Sequence, residues 1–389
     1  MPQVMSKTPN ISAVGPIIEA CVLVLMATGT VFVYSAGADV KSDYDLQRFF
    51  DFTIFKQLLF FPFAVAVMYA AKNIDYRKFS FRINPVAKSI TPYLLILAIV
   101  LLVLVLVPGI GIEKNGARRW LSVSIGFVSF SFQPSELAKW ALVFFLAAFV
   151  DRFAETIKLY WKRFVPLCII AGLVIALIVT QDFGTAAFIA MLTFLMLLIG
   201  GACWWHFLTP LPVLLPVFYF SIASSPHRID RLKAFFRPDI ANSALYQARQ
   251  SLIAIGSGRF WGKGLGRGIS KYGHLPEDTT DFIFSIIAEE LGFIGVAFVV
   301  AIFVLVVALG IILVLRCKDP FGSILAGGIV LTLAIQAAIN IGVVTVVLPT
   351  KGIPLPFISA GGTSMLLCAA AAGVLLNIAK QTAAGELEQ

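Results

Sequence analysis

Charge is scarce in this chain: of its 389 residues only 13% are Asp, Glu, Lys or Arg, against 59% hydrophobic. A soluble domain keeps a wet face on its surface helices, and this composition leaves too few polar residues to make one. Histidine is scarcer still, and His206, His227 and His274 form no pair at metal-ligand spacing. The cysteines (Cys21, Cys168, Cys203, Cys317 and Cys368) lie within or at the ends of apolar runs, which fits small buried packing residues rather than disulfides. No Walker loop, dinucleotide fingerprint, nucleophile–base constellation or nucleic-acid motif stands in the chain. None of those chemistries is therefore assigned.

What the chain has in abundance is apolar length. About 20 apolar residues span a bilayer, and segments of that kind are read at 17–36, 55–71, 93–110, 134–150, 165–180, 184–202, 207–224, 281–316, 322–347 and 355–379. The expected fold is an all-α polytopic membrane protein, one domain over 1–389 with about ten transmembrane helices, the last three segments carrying polar or Pro/Gly breaks. Small residues at Ala36-Gly37-Ala38 resemble a leader cleavage site, but 1–16 carries only Lys7 and the run is long, so an uncleaved first helix is expected.

The net charge of +9 points to anionic lipid or an anionic ligand, and its distribution is uneven. With 1–16 and 381–389 in the cytoplasm, nine cations (Arg228, Arg231, Lys233, Arg237, Arg249, Arg259, Lys263, Arg267 and Lys271) fall in one outer loop, 225–280. Apart from that loop, Lys and Arg favour the inner side by thirteen to seven, as the positive-inside rule requires. The orientation holds if the loop's charges serve a ligand. Its glycine-rich run 256–268 is a candidate phosphate cradle, since small residues let backbone N–H groups approach an anion; attraction to lipid headgroups is the competing reading. The acidic loop 37–54 suits the outer surface.

Three stretches break the apolar pattern where chemistry is expected. In 275–292, LPEDTTDFIFSIIAEELG, a charged turn enters an apolar helix, with Asp278 or a Thr as the expected cap and Asp281 at the junction. Ionisable groups in such a segment are costly, so function is the first hypothesis for Asp281; Glu289, about 12 Å deeper and roughly 80° around a regular helix, is assigned to helix contacts. In 132–139, FQPSELAK, Glu136 and Lys139 share a face, either as a structural ion pair or as the wall of a polar cavity. In 348–364, LPTKGIPLPFISAGGTS, prolines and glycines forbid a regular helix, and irregular backbone at membrane depth requires burial or a cavity, with Lys351 aimed into it. Upstream, 115–132 alternates Ser with Val, Ile and Phe, which predicts an extended or re-entrant piece at the interface with Trp120 at headgroup depth. The turn 181–185 reads as no more than a cap by Asp182.

The ordered set NGARRWL (115–121), FQPSELAK, GKGLG (262–266), LPEDTTDFIFSIIAEELG and LPTKGIPLPFISAGGTS resembles the SEDS family of RodA and FtsW over about 17–380. Lys351 in PTKG is more similar to the FtsW, cell-division branch. The chain departs from the family pattern at Thr279 (usually His), Gln181 (usually Pro) and Ala360 (usually Tyr). The resemblance implies a peptidoglycan glycosyltransferase that polymerises lipid II at the outer face of the bacterial cytoplasmic membrane. It implies undecaprenyl-pyrophosphate-linked glycan as growing chain, a class B penicillin-binding transpeptidase as partner, and other division or elongation membrane proteins nearby. Asp281 would be the essential carboxylate. Arg119, Trp120, Glu136, Lys139, Lys351 and Ser359 would line its cavity, and Arg228, Arg231, Gln247, Gln250, Ser251 and Lys263 of the outer loop would meet the substrate. Mg2+ or Mn2+ is a candidate cofactor. A flippase for lipid-linked precursor and a non-catalytic division scaffold are the alternatives.

Overall fold

The computed structural model describes residues 11–37, 53–114, 116–125, 128–236, 243–271, 275 and 277–387. Most of the acidic loop 37–54, Arg237 and His274 lie outside the described residues. Every apolar segment read from the sequence holds an α-helix: α1 (Ile11–Gly37), α2 (Thr53–Asn73), α3 (Ile90–Leu106), α4 (Pro134–Arg152), α5 (Val165–Val179), α6 (Phe183–Ile199) and α7 (Leu211–Ala223). Two shorter helices, α8 (Pro226–Phe236) and α9 (Ser243–Gly258), build the long loop. Three more, α10 (Ile283–Arg316), α11 (Pro320–Val344) and α12 (Gly362–Leu387), close the chain. Among the described residues, five helical stretches are long and apolar enough to cross a membrane: Ile11–Gly37, Tyr160–Val179, Ile283–Arg316, Pro320–Val344 and Gly362–Gly385. Helices α3, α6 and α7 are apolar but shorter.

Helix α4 is the hub, because nearly every residue from Pro134 to Asp151 is buried, and it packs between α3 and α11. A helix that is apolar all round has to be covered all round. The small residue Gly373 brings α12 against α2, close enough that a Cβ there would overlap the Met68 carbonyl. Small residues serve membrane packing because they let two backbones approach. All five cysteines are free.

The alternating stretch forms one small antiparallel sheet, β1 (Gly111–Lys114), β2 (Ala117–Ile125) and β3 (Val128–Phe132), with Leu121 opposite Phe132 and Ser122 opposite Ser131. Among the described residues the remaining regular structure is helical, and this is the one sheet. It leans on α3 and α4 and carries Arg118, Arg119 and Trp120 toward the start of α4.

Helix α10 breaks at Gly292, whose φ of 65° is open to glycine and strained for other residues. The break leaves carbonyls free, and the glycine-rich loop takes them: Lys263 N donates to Glu289 O at 3.0 Å and Gly264 N to Glu290 O at 2.9 Å. The same loop surrounds both acids. Ile269 N and Ser270 N donate to the Glu289 carboxylate, Lys263 Nζ lies 2.6 Å from it, and Lys271 Nζ lies 3.0 Å from Glu290. The cradle read from the sequence does hold an anion, but the anion is the protein's own pair of carboxylates. Glu289 is thus engaged in packing, as its depth predicted, through the loop and not through a neighbouring helix.

Candidate active site

The turn 277–282 does not use a local cap. The first helical residue is Ile283, its N-cap is Phe282, and no side chain caps it, so neither Asp278 nor a Thr takes that role. The turn is held from across the molecule instead. Ser359 Oγ donates to Thr280 O at 2.6 Å while accepting from Leu355 N, and Ala360 N donates to Thr279 O. Asn340 Nδ2, from α11, donates to Asp281 O at 2.9 Å. Ser359 and Ala360 belong to the segment 345–361, which is irregular as predicted. These bonds leave the Asp281 side chain free of capping and set it over Gly352, where an added Cβ would lie 2.9 Å from Oδ2.

Around Asp281 stand groups from four other segments. Arg231 of α8 and Arg119 of β2 attract its carboxylate, while Glu277 and Asp182 repel it. Burial first and Glu277 second push the Asp281 carboxyl up to about 7, against the pull of the two arginines. Arg231 Nε is buried without a hydrogen-bond partner among the described residues. Arg119 Nε donates to Gln181 O at 2.7 Å, and its guanidinium lies 4.0 Å from Asp182. Lys351 lies over the Phe183 ring, 5.5 Å from the centroid, and its stem meets Gly184.

Asp182 is the residue whose role the sequence pattern understates. It caps α6 by accepting from Thr185 N at 3.1 Å and Thr185 Oγ1 at 2.9 Å, and it is also the counter-charge of Arg119. A buried acid beside a Gly-Thr pair was the available signal. Gln181 contributes as well, since its Oε1 accepts from Arg118 N at 2.8 Å and locks β2 to the start of α6. A cleft opens here, lined by Leu102, Val105 and Ile178 on one side and by Arg118, Arg119 and Asp182 on the other.

Other candidates are engaged in structure. Glu136 and Lys139 form a buried pair at 2.8 Å, and Lys139 Nζ also donates to Gln336 Oε1. That is the structural ion pair of the two readings, beneath the site rather than open to it. Arg228 donates to Ser221 O and Thr180 O, so it covers carbonyls at the ends of α7 and α5, where a cation is favoured. Ser251 is fully buried between Ser285 and Val344 O and has no surface to offer a substrate. Lys263 is bound to Glu289 and Ser359 to the turn, which engages both within the fold. Gln247 and Gln250 lie half-buried on α9, and Trp120 sits half-buried on β2 opposite Ile112. Among the described residues no group of three His, Cys, Asp or Glu side chains could hold a metal ion. Mg2+ is usually held by one or two carboxylates together with substrate phosphates, and Asp281 and Asp182 are the carboxylates that would serve here, with Arg119 and Arg231 beside them.

A family model described as "Cell cycle protein", FTSW_RODA_SPOVE, matches residues 16–384. Stage V sporulation protein E of Bacillus subtilis (strain 168) is 38% identical over 361 residues, covering 92% of this chain and 94% of its own length. "Probable peptidoglycan glycosyltransferase FtsW" of Geobacter metallireducens is 38% identical over 367 residues, covering 92% and 93%. Among solved structures, a chain from "Structural coordination of polymerization and crosslinking by a peptidoglycan synthase complex" superposes with a TM-score of 0.70 at 23% identity, covering 94% of this chain and 97% of that one. The rod shape determining protein RodA of Thermus thermophilus superposes with a TM-score of 0.62 at 24% identity, covering 98% and 99%.

Proposed function

The chain belongs to the FtsW/RodA/SpoVE family of integral membrane proteins, and on that premise we propose that it is a peptidoglycan glycosyltransferase polymerising lipid II, with Asp281 as general base. The observation that carries the chemistry is a carboxylate at the loop–helix junction, set over Gly352 with Arg231 and Arg119 near it. The acceptor hydroxyl loses a proton as it attacks the anomeric carbon, and a base with a pKa near the working pH is best suited to take it. The leaving group is a lipid pyrophosphate, already a stabilised anion, so it needs neutralising charge rather than an acid. Arg231, Arg119 and Lys351 approach this region from three segments and supply that charge. One displacement without a covalent intermediate inverts the anomeric centre, by analogy with inverting glycosidases.

The reading includes residues 1–389 as one membrane domain, both termini in the cytoplasm, the site at the outer face, and a class B penicillin-binding transpeptidase as partner, most simply in septal synthesis. The layout of polar groups supports polymerisation over transport. Helix α11 is 25 residues, about 37 Å at 1.5 Å per residue. At its start Tyr76, Asp319 and Asn377 close on one another or on nearby backbone through hydrogen bonds; the charges facing Asp281 lie at its far end. A flippase would need a polar path between the two ends. The purified protein with its transpeptidase is expected to convert lipid II into glycan strands, read as product length on a gel. Robust precursor transport with no polymer would refute this assignment.

Arg231→Gln removes a charge-assisted contact to the pyrophosphate. Such contacts contribute about 1.5–3 kcal/mol, so KM for lipid II is expected to rise roughly 10- to 100-fold with the melting temperature unchanged. An unaltered KM would take Arg231 out of the substrate site.

A further inference from the structure

The two halves of the site, the 277–282 turn and the 351–359 stretch, are far apart in the chain; Ser359 bonds the turn directly at Thr280 O, and one buried side chain from a third segment bridges the two. Asn340 of α11 donates from Nδ2 to Asp281 O at 2.9 Å and to Ile353 O at 2.8 Å. One turn earlier on the same face, Gln336 donates from Nε2 to Pro354 O at 2.9 Å and accepts from Lys139 Nζ at 2.8 Å. Both amides are 1% exposed. With two carbonyls as acceptors, the orientation of the Asn340 amide is fixed, and its Oδ1 is left without a partner among the described residues.

That orphaned oxygen is informative. A buried amide acceptor with no donor weakens a fold, so packing alone does not account for asparagine at this position. A leucine of similar size would strand two carbonyls, and an aspartate would set acceptors against acceptors. Only a side chain of this length with two N–H groups bridges the two peptides. The bridge also holds an irregular segment in which Val346 and Phe357 carry positive φ, a conformation that persists only where surrounding contacts enforce it.

We infer that Asn340 is a positioning residue: its amide ties the Asp281 peptide to the Ile353 peptide, holding the carboxylate over Gly352 and at a set distance from Lys351. Gln336 extends the same tie to the Glu136–Lys139 pair, so α11 is the spine on which base and cation are registered. This inference rests on Asp281 being the base. Because Asn340 faces peptide groups rather than a substrate, its loss moves Asp281 against Lys351, while Arg119 and Arg231, carried by other segments, stay in place to bind lipid II.

The test is steady-state polymerisation of lipid II by the full chain in complex with its transpeptidase, comparing native protein with Asn340→Asp, Asn340→Leu and Asp281→Asn. Misplacing a reacting group by about 1 Å costs up to roughly 100-fold in rate. Asn340→Asp is accordingly expected to lower kcat by between about tenfold and 100-fold, with KM within about twofold of native. Asn340→Leu is expected to do the same, with faster hydrogen exchange at 279–283 and none of that change in the first turns of α11. A native kcat in either folded variant, a rise in KM in place of the fall in kcat, or a failure of both variants to fold would overturn the positioning role. If Asp281→Asn is inactive while Asn340→Asp runs at native kcat, only this inference fails. If Asp281→Asn polymerises normally, the assignment of the base fails first.

Discussion

Replacing Asp281 with Asn is expected to reduce glycan polymerisation by about 10²–10⁴-fold, the usual contribution of a positioned general base. The substitution is nearly isosteric. The amide would still fit over Gly352, and the backbone bond that Asn340 makes to the carbonyl at this position would remain, so the turn keeps its shape. What disappears is the proposed proton acceptor. The pH dependence follows from the position of the carboxyl, held at about 7 by burial and by Glu277. Below that value the carboxyl is protonated and cannot act as a base, so kcat/KM is expected to rise with pH and level off above about 7. Asp278, pushed up to about 6 chiefly by burial, lies next to the same limb, and Asp278→Asn separates the two because it should leave the limb near 7 in place. Stability runs the other way. A carboxyl whose folded pKa exceeds its unfolded value of 3.8 binds more protons in the fold, so ionising it as pH rises toward 7 costs stability. Asp281→Asn should therefore be at least as stable as native protein at pH 8, measured by thermal unfolding. An inactive variant that is also less stable would point to a structural role; a rate within about threefold of native would remove Asp281 as the base.

The residues that were legible in the sequence are those whose chemistry contradicts their surroundings. Asp281 and Lys351 interrupt apolar or proline-rich membrane segments, where a charge is costly, and the cost itself is the signal. Helix positions followed from apolar length, and the extended backbone of 117–132 from alternation, whereas its pairing into a sheet did not. What was not legible depends on pairings between distant segments. The loop 256–271 carries glycines and cations in a pattern that fits a phosphate, and nothing local to it reveals that Glu289 and Glu290 fill the cradle from a helix some twenty residues on. Asp182 looked like a helix cap and is one; its second role arises only when β2 brings Arg119 to it. The expected cap before α10 failed for the same reason, since Ser359, Ala360 and Asn340 hold that turn from the other side of the fold.

Lys271→Ala is the substitution outside the site with the largest expected effect, a loss of about 3–5 kcal/mol, because it strands the Glu290 carboxylate where its side chain is 0% exposed. Lys271 Nζ also donates to Ser35 Oγ at 3.1 Å and Gly266 O at 2.9 Å, and Ser35 Oγ lies within 2.8 Å of both Glu290 oxygens. One ammonium therefore joins the end of α1, the glycine-rich loop and the break in α10. Glu290→Gln should cost less, because the amide oxygen can still accept from Lys271, whose ammonium also keeps its bonds to Ser35 Oγ and Gly266 O. The double replacement Lys271→Met with Glu290→Leu is expected to regain most of the loss, since buried pairs exchanged for well-packed apolar groups are often neutral. Thermal unfolding of native protein, the two single replacements Lys271→Met and Glu290→Leu, and the double in one detergent gives the double-mutant cycle, and a large coupling between the two sites identifies the pair rather than either residue as the unit. A loss below about 1 kcal/mol for Lys271→Ala would be the value of an exposed pair. It would mean that water reaches Glu290, that the loop is not closed around its own carboxylates, and that its backbone N–H groups are again available to a substrate's phosphates.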